Sequence, residues 1–98
     1  MYDTLKLIRE TKVKNDIGQL VPTEIASKDI LCEVVSITRT EWDSAQQRGY
    51  EAEICLKVFF ADYSGQRICE WQGERFEIYR TFRPGDRVEL YLGRRVGV

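Results

Sequence analysis

The stretch AEICLKVFF, residues 52–60, places Ala52, Ile54, Leu56, Val58 and Phe60 at alternate positions, with Glu53 and Lys57 between them. Successive side chains of a strand point to opposite faces, so a period of two predicts a strand with one face in a core and the other in water. On its C-terminal side, ADYSG (61–65) supplies the Asp, Ser and Gly of a turn, and QRICEW (66–71) runs to a second turn at Gln72-Gly73. ERFEIYRTF (74–82) carries Phe76 and Ile78 on one face. After the turn RPGD (83–86), DRVELYL (86–92) presents Val88, Leu90 and Leu92, so these two segments are expected to form a hairpin.

On the N-terminal side, ILCEVVSITR (30–39) is almost continuously apolar, which predicts a central strand covered on both faces. TLKLIRE (4–10) reads as a first strand. In KVKNDIGQLV (12–21), Asn15, Asp16 and Gly18 tolerate the left-handed backbone of a tight reversal between Val13 and Leu20-Val21, as in a hairpin or arm. EWDSAQQRGY (41–50) is the one helical segment, with Thr40 as expected cap, Asp43 in a capping-box position and Gly49 as the stop. Its apolar side is only Trp42 and Ala45. A helix this short does not hold itself together in water and needs support from the body or a neighbour.

The expected fold is mainly β: a small antiparallel β barrel or sandwich with one short helix or long loop inserted between the central strands. Its 98 residues suit a single domain spanning 1–98, in which 1–27 form an N-terminal strand or arm whose placement is left open. The net charge is −1 with both signs interspersed, so no long-range field draws the chain to nucleic acid or to an anionic membrane. No apolar run reaches the length of a membrane helix, and the first residues show no leader pattern, so a cytoplasmic start is expected. Cys32, Cys55 and Cys69 are odd in number and widely spaced, which suggests reduced core thiols instead of a zinc or redox site. The chain contains no histidine, which removes the commonest general base and metal ligand. No catalytic acidic pair or phosphate-cradling glycine loop is recognisable, so no enzymatic activity, cofactor, metal or small-molecule substrate is expected.

The order of elements and the run TEWDSAQQRGYEAEICLKVFFADYSGQRICEWQGERFEIYRTFRPGDRVELYL (40–92) resemble the head closure proteins of tailed bacteriophages, also called head-tail joining proteins, adaptors or stoppers. The features that carry the resemblance are the aromatic-bearing segment before the central strand, the turn Asp62-Tyr63-Ser64-Gly65, and Phe76–Phe82 followed by Val88–Leu92. The resemblance implies a β-barrel subunit that assembles with itself as a ring beneath the portal and adaptor, in a virion or a prophage. Such a ring seals the channel after DNA packaging and offers a docking surface to the tail or its terminator. It implies assembly in the bacterial host cytoplasm, a final place at the head–tail interface, and a plug segment corresponding to Thr38–Glu51.

Within that segment, Arg39, Thr40, Glu41, Trp42, Asp43, Gln46, Gln47, Arg48 and Tyr50 are the candidate plug or interface residues. Trp42 and Trp71 each admit two readings, a subunit or luminal contact or a ring buried on the body. Arg80, Arg83, Arg87, Arg94 and Arg95, with Arg75, would suit phosphate if they faced channel DNA. Glu70, Glu74, Glu77, Asp86 and Glu89 dilute them, so solvated faces and ion pairs are the competing reading. Tyr79, Arg80 and Thr81 are expected to orient their hairpin, and the tail GRRVGV (93–98) to fray until it docks. Two other functions stay open: a nucleic-acid-binding barrel of the OB or SH3-like type, and a tail terminator.

Overall fold

The computed structural model describes residues 1–96, and the protein is mainly β. The elements in order are β1 (Tyr2–Lys14), β2 (Leu20–Ala26), β3 (Ile30–Val35), α1 (Arg39–Gln47), β4 (Tyr50–Phe59), β5 (Ile68–Trp71), β6 (Glu74–Phe82) and β7 (Arg87–Arg95). A 3₁₀ turn, Phe60–Asp62, follows β4. Strands β1, β3, β4, β7, β6 and β5 pair in that order, all antiparallel, and a β5–β1 pairing closes them into a six-stranded barrel. β2 is the seventh strand and, among the described residues, pairs only with β1.

Alternate residues of each strand fill the barrel. Leu5 and Leu7, Ile30 and Cys32, Leu56 and Val58, Cys69, Phe76 and Ile78, and Val88, Leu90 and Leu92 form one buried cluster. β3 departs from its expected double coverage: Ile30 and Cys32 are buried, but Leu31 is 54% exposed. The segment also stops being a strand at Val35, because residues 36–38 lead into α1.

The alternation read in residues 52–60 holds only from Ile54 to Val58. The β4–β7 register shifts between Ala52, opposite Gly93, and Ile54, opposite Leu92. Since Gly93 and Leu92 are consecutive, they lie on opposite faces, and so do Ala52 and Ile54. Glu53 is the extra residue of a β-bulge. Phe60 leaves the core face as well: it lies in the 3₁₀ turn and is 42% exposed. A second bulge falls at Tyr79 in β6, between the pairs Ile78–Leu92 and Arg80–Tyr91. It puts both Tyr79 and Arg80 on the outer wall.

The turns follow their residues. Gln72 (φ 52°) and Gly73 (φ 74°) join Trp71 to Glu74 as a two-residue hairpin loop, the place where glycine accepts a positive φ without cost. Asn15 accepts from the amides of Ile17 and Gln19 through its side chain and closes the β1–β2 turn. β1 runs well past the expected residue 10. Its second half and β2 form an arm that projects beyond the barrel, with nearly every residue from Arg9 to Ala26 exposed. In the expected fraying tail, residues 93–95 belong to β7 and Val96 donates to the Gly49 carbonyl, while residues 97–98 lie outside the described part.

The three cysteines are free and buried. Burial pushes the thiols of Cys32 up to about 11 and those of Cys55 and Cys69 up to about 12 from an ordinary 9.0. The native state therefore keeps these protons at pH values where the unfolded chain has released them, so stability is present below about pH 9 and falls as pH rises above it. Each unit separating native and unfolded values costs about 1.4 kcal/mol per thiol. Urea midpoints measured from pH 7 upward should fall beyond pH 9. A thiol reagent at pH 8 should label the native chain slowly and the urea-unfolded chain at all three positions.

Candidate functional site

The segment between β3 and β4 forms the helix α1, which lies against the outer wall of the barrel. Thr38 is its cap: the side-chain oxygen accepts from the amide of Glu41 at 3.1 Å. The expected cap, Thr40, is instead inside the first turn. The pattern Thr38-x-x-Glu41 is the capping-box sequence that a reading starting at Thr40 passes over. Glu41, however, is used elsewhere.

Glu41 holds the helix to the wall. Its carboxylate accepts from the Tyr79 hydroxyl at 2.9 Å and pairs with the Arg80 guanidinium. The Arg80 guanidinium lies 4.1 Å from the centre of the Tyr91 ring, and Tyr91 donates to Glu89 at 2.6 Å, which pairs with Lys57 at 3.7 Å. Tyr79 stacks on Tyr50 at 5.2 Å, and Tyr50 donates to Glu77 at 3.0 Å. Burial and the neighbouring carboxylates hold the hydroxyls of Tyr79 and Tyr91 protonated well above the usual phenol range, so each stays a donor. The bulge at Tyr79 is what lets two consecutive residues serve this one face.

Below the network, Ala45 is fully buried, facing a wall that buries Ala52 and Cys55. A cleft of about 450 Å³ opens beside the helix, with Thr38, Glu41, Arg48, Lys57 and Arg80 among its walls. Replacing Glu41 with alanine leaves Tyr79 and the half-buried Arg80 without their acceptor. Because Arg80 keeps access to water, the cost should be about 1–2 kcal/mol in urea unfolding. Hydrogen exchange should quicken at amides 42–48 while barrel amides keep their protection.

The other candidate residues of the segment do not converge. Arg39, Thr40, Asp43, Gln46, Gln47 and Arg48 are exposed, with Arg48 capping the helix C-terminus. Trp42 is 37% exposed over a groove it shares with Arg39 and Ile54, so its ring is partly covered by the body. Trp71 does anchor: its indole donates to Asp3 at 3.0 Å and its ring packs on the core.

The candidate arginines are dispersed and mostly neutralised by carboxylates of the same chain. Arg75 pairs with Glu24, Arg80 with Glu41, Arg87 with Glu33 at 3.1 Å, Arg94 with Glu74, and Arg95 with Glu77 at 3.2 Å. Arg83 alone in this set has no carboxylate partner among the described residues. Its guanidinium sits 3.3 Å from the Phe60 ring centre and donates to the Gly85 carbonyl.

The searched family models include none that matches the chain, and the searched curated proteins include no match to it in sequence. A half-buried polar clamp binds a short helix to a wall. What the arrangement does chemically is hold α1 in one position through charge-assisted hydrogen bonds.

Proposed function

We propose that this protein is a structural subunit of a phage head–tail connector, a ring-forming head closure protein that seals the channel after DNA packaging and receives the tail. The observation that carries the reading is the division of the chain into a closed barrel and a projecting hairpin that leaves Val13, Val21 and Ile25 exposed. A two-stranded hairpin is marginal in water by itself, and one built this way is completed by neighbours. The resemblance of residues 40–92 to the head closure proteins supplies the identity of the assembly.

In this reading α1 is the plug element, held against the wall by Glu41 before assembly, and the partners are the portal and adaptor on one side and the tail or its terminator on the other. Binding of DNA as a free nucleic-acid module loses support, because the arginines that would meet phosphate, Arg83 apart, are already paired. The test is removal of the gene from the phage or prophage that encodes it. Filled heads should lose their DNA and fail to acquire tails, and purified chain added back should bind the portal–adaptor complex. Tailed, DNA-retaining particles made without the chain would end this reading.

A further inference from the structure

The first half of β4 has an unpaired edge. β3 pairs with β4 through Glu33–Lys57, Val34–Leu56 and Val35–Cys55 and then departs into α1, whereas β4 begins at Tyr50. The bonds from the Phe60 amide to Asp86 and from the Val96 amide to Gly49 fix which residues of β4 bond to β7. They are Glu51 before the bulge and Ile54, Leu56 and Val58 after it. Tyr50, Ala52 and Glu53 therefore turn their backbone groups to the side of β3, where no strand lies among the described residues.

The segment that would fill this place lies beside it. Residues 36–39 line one side of a groove of about 640 Å³ and residues 52–54 the other. Ser36-Ile37-Thr38-Arg39 continues the strand-forming run of Val34 and Val35, and the sequence predicts a strand through Arg39. The Val34 amide bonds to the Met1 carbonyl, so even residues of β3 face β1 and odd ones face β4. Carried onward, the register sets Ile37 opposite the bulge at Ala52 and Glu53, and Arg39 opposite Tyr50. Odd residues thus meet the vacant groups. A second cap stands two residues on: Thr40-x-x-Asp43 repeats the spacing of Thr38-x-x-Glu41, whereas Thr38 caps α1 in this structure.

We propose that residues 36–39 are a zipper with two seats. In one they lead into α1, as in this structure. In the other they pair along the free edge of β4, α1 begins after Thr40, and residues 40–49 close the end of a lengthened β3–β4 hairpin. Each seat has its own cap, so no helix start is left bare in either. The two exclude each other. A strand that reaches Arg39 beside Tyr50 draws the helix start away from Val35, so Glu41 leaves Tyr79 and Arg80, and Ala45 uncovers Cys55. The Glu41 clamp is the latch of this two-state element, since a helix of this length is not held by its own bonds. The zipper belongs to a single chain and does not rest on the connector reading.

Hydrogen exchange of the full chain tests it. In Glu41→Ala the amides of Ile37 and Glu53 should exchange about tenfold more slowly than in the wild type, because pairing protects them, while amides 42–48 quicken. Arg39→Pro should block the pairing and leave α1 intact. Proline has no amide for the ladder but suits the first helical position, and Thr38 before it already has the extended backbone that proline imposes (φ −76°, ψ 159°). Added to Glu41→Ala, it should return Ile37 and Glu53 to their wild-type rates. Unchanged or faster exchange at Ile37 and Glu53 in Glu41→Ala, or protection that survives the proline, would overturn the proposal. Thiol labelling of the wild type decides the matter if Glu41→Ala does not fold. Cys55 lies under α1 on the outer wall, so a reagent should reach it before Cys32 and Cys69 in the barrel interior. Arg39→Pro should slow the Cys55 reaction about tenfold, and an unchanged rate would sink the zipper as well.

Discussion

Replacing Leu90 with alanine should cost about 3–5 kcal/mol, because a fully buried leucine leaves a cavity that rigid strands on every side cannot fill. Leu90 lies mid-β7, opposite Leu56 on β4 and Thr81 on β6, so the lost contacts belong to the most extensively paired part of the barrel. A domain of this size has about 5–15 kcal/mol in all, so the variant should retain only a small margin. Urea unfolding followed by circular dichroism should show a much lower midpoint with little change of slope. Leu90→Met, which keeps the volume, should cost less than about 1.5 kcal/mol. Equal losses from the two variants would show that Leu90 is not packed as described.

The second large effect is expected at Gly93. A methyl group added there would lie 2.7 Å from the carbonyl oxygen of Glu51 and 3.1 Å from the Tyr79 ring. The first of these atoms is backbone in the neighbouring strand, so it cannot rotate aside. Gly93→Ala should cost about 2–3 kcal/mol as an overpacked site. The loss should be visible beyond β7, since pushing Tyr79 outward withdraws its hydroxyl from Glu41 and its ring from Tyr50. Amide exchange in α1 should therefore quicken in Gly93→Ala as it does in Glu41→Ala, and the double variant should cost less than the sum.

The barrel was legible where alternation was regular. Leu56 and Val58, Phe76 and Ile78, and Val88, Leu90 and Leu92 all fall in the core as their spacing predicts. The departures have physical causes that composition does not carry. A bulge reverses the parity of every residue beyond it, so Ala52 reads as core by counting and lies on the outer wall in fact. Leu31 made β3 look doubly covered, but only one side of a barrel strand faces the interior.

The candidate site was half visible. Glu41, Arg80 and Tyr50 stood among the residues singled out, yet nothing local joins Glu41 to Tyr79 and Arg80, which are 38 and 39 positions away. The same holds for the arginines: each pairing with a carboxylate depends on strand neighbours, and those follow from register. The Thr38-x-x-Glu41 cap was readable and points to the true start of α1. Lys12 and Lys14 concealed the length of β1, since charged residues in an arm outside the core look like the end of a strand.

One consequence of β1 concerns force. The same thirteen residues form the barrel seam with β3 and β5 and the rail of the arm. A pull at the tip therefore runs along the backbone into the seam, with no flexible joint between. Strand hydrogen bonds stand perpendicular to that direction, so they are loaded together in shear instead of being peeled one after another. The arm is a tension member anchored in the wall.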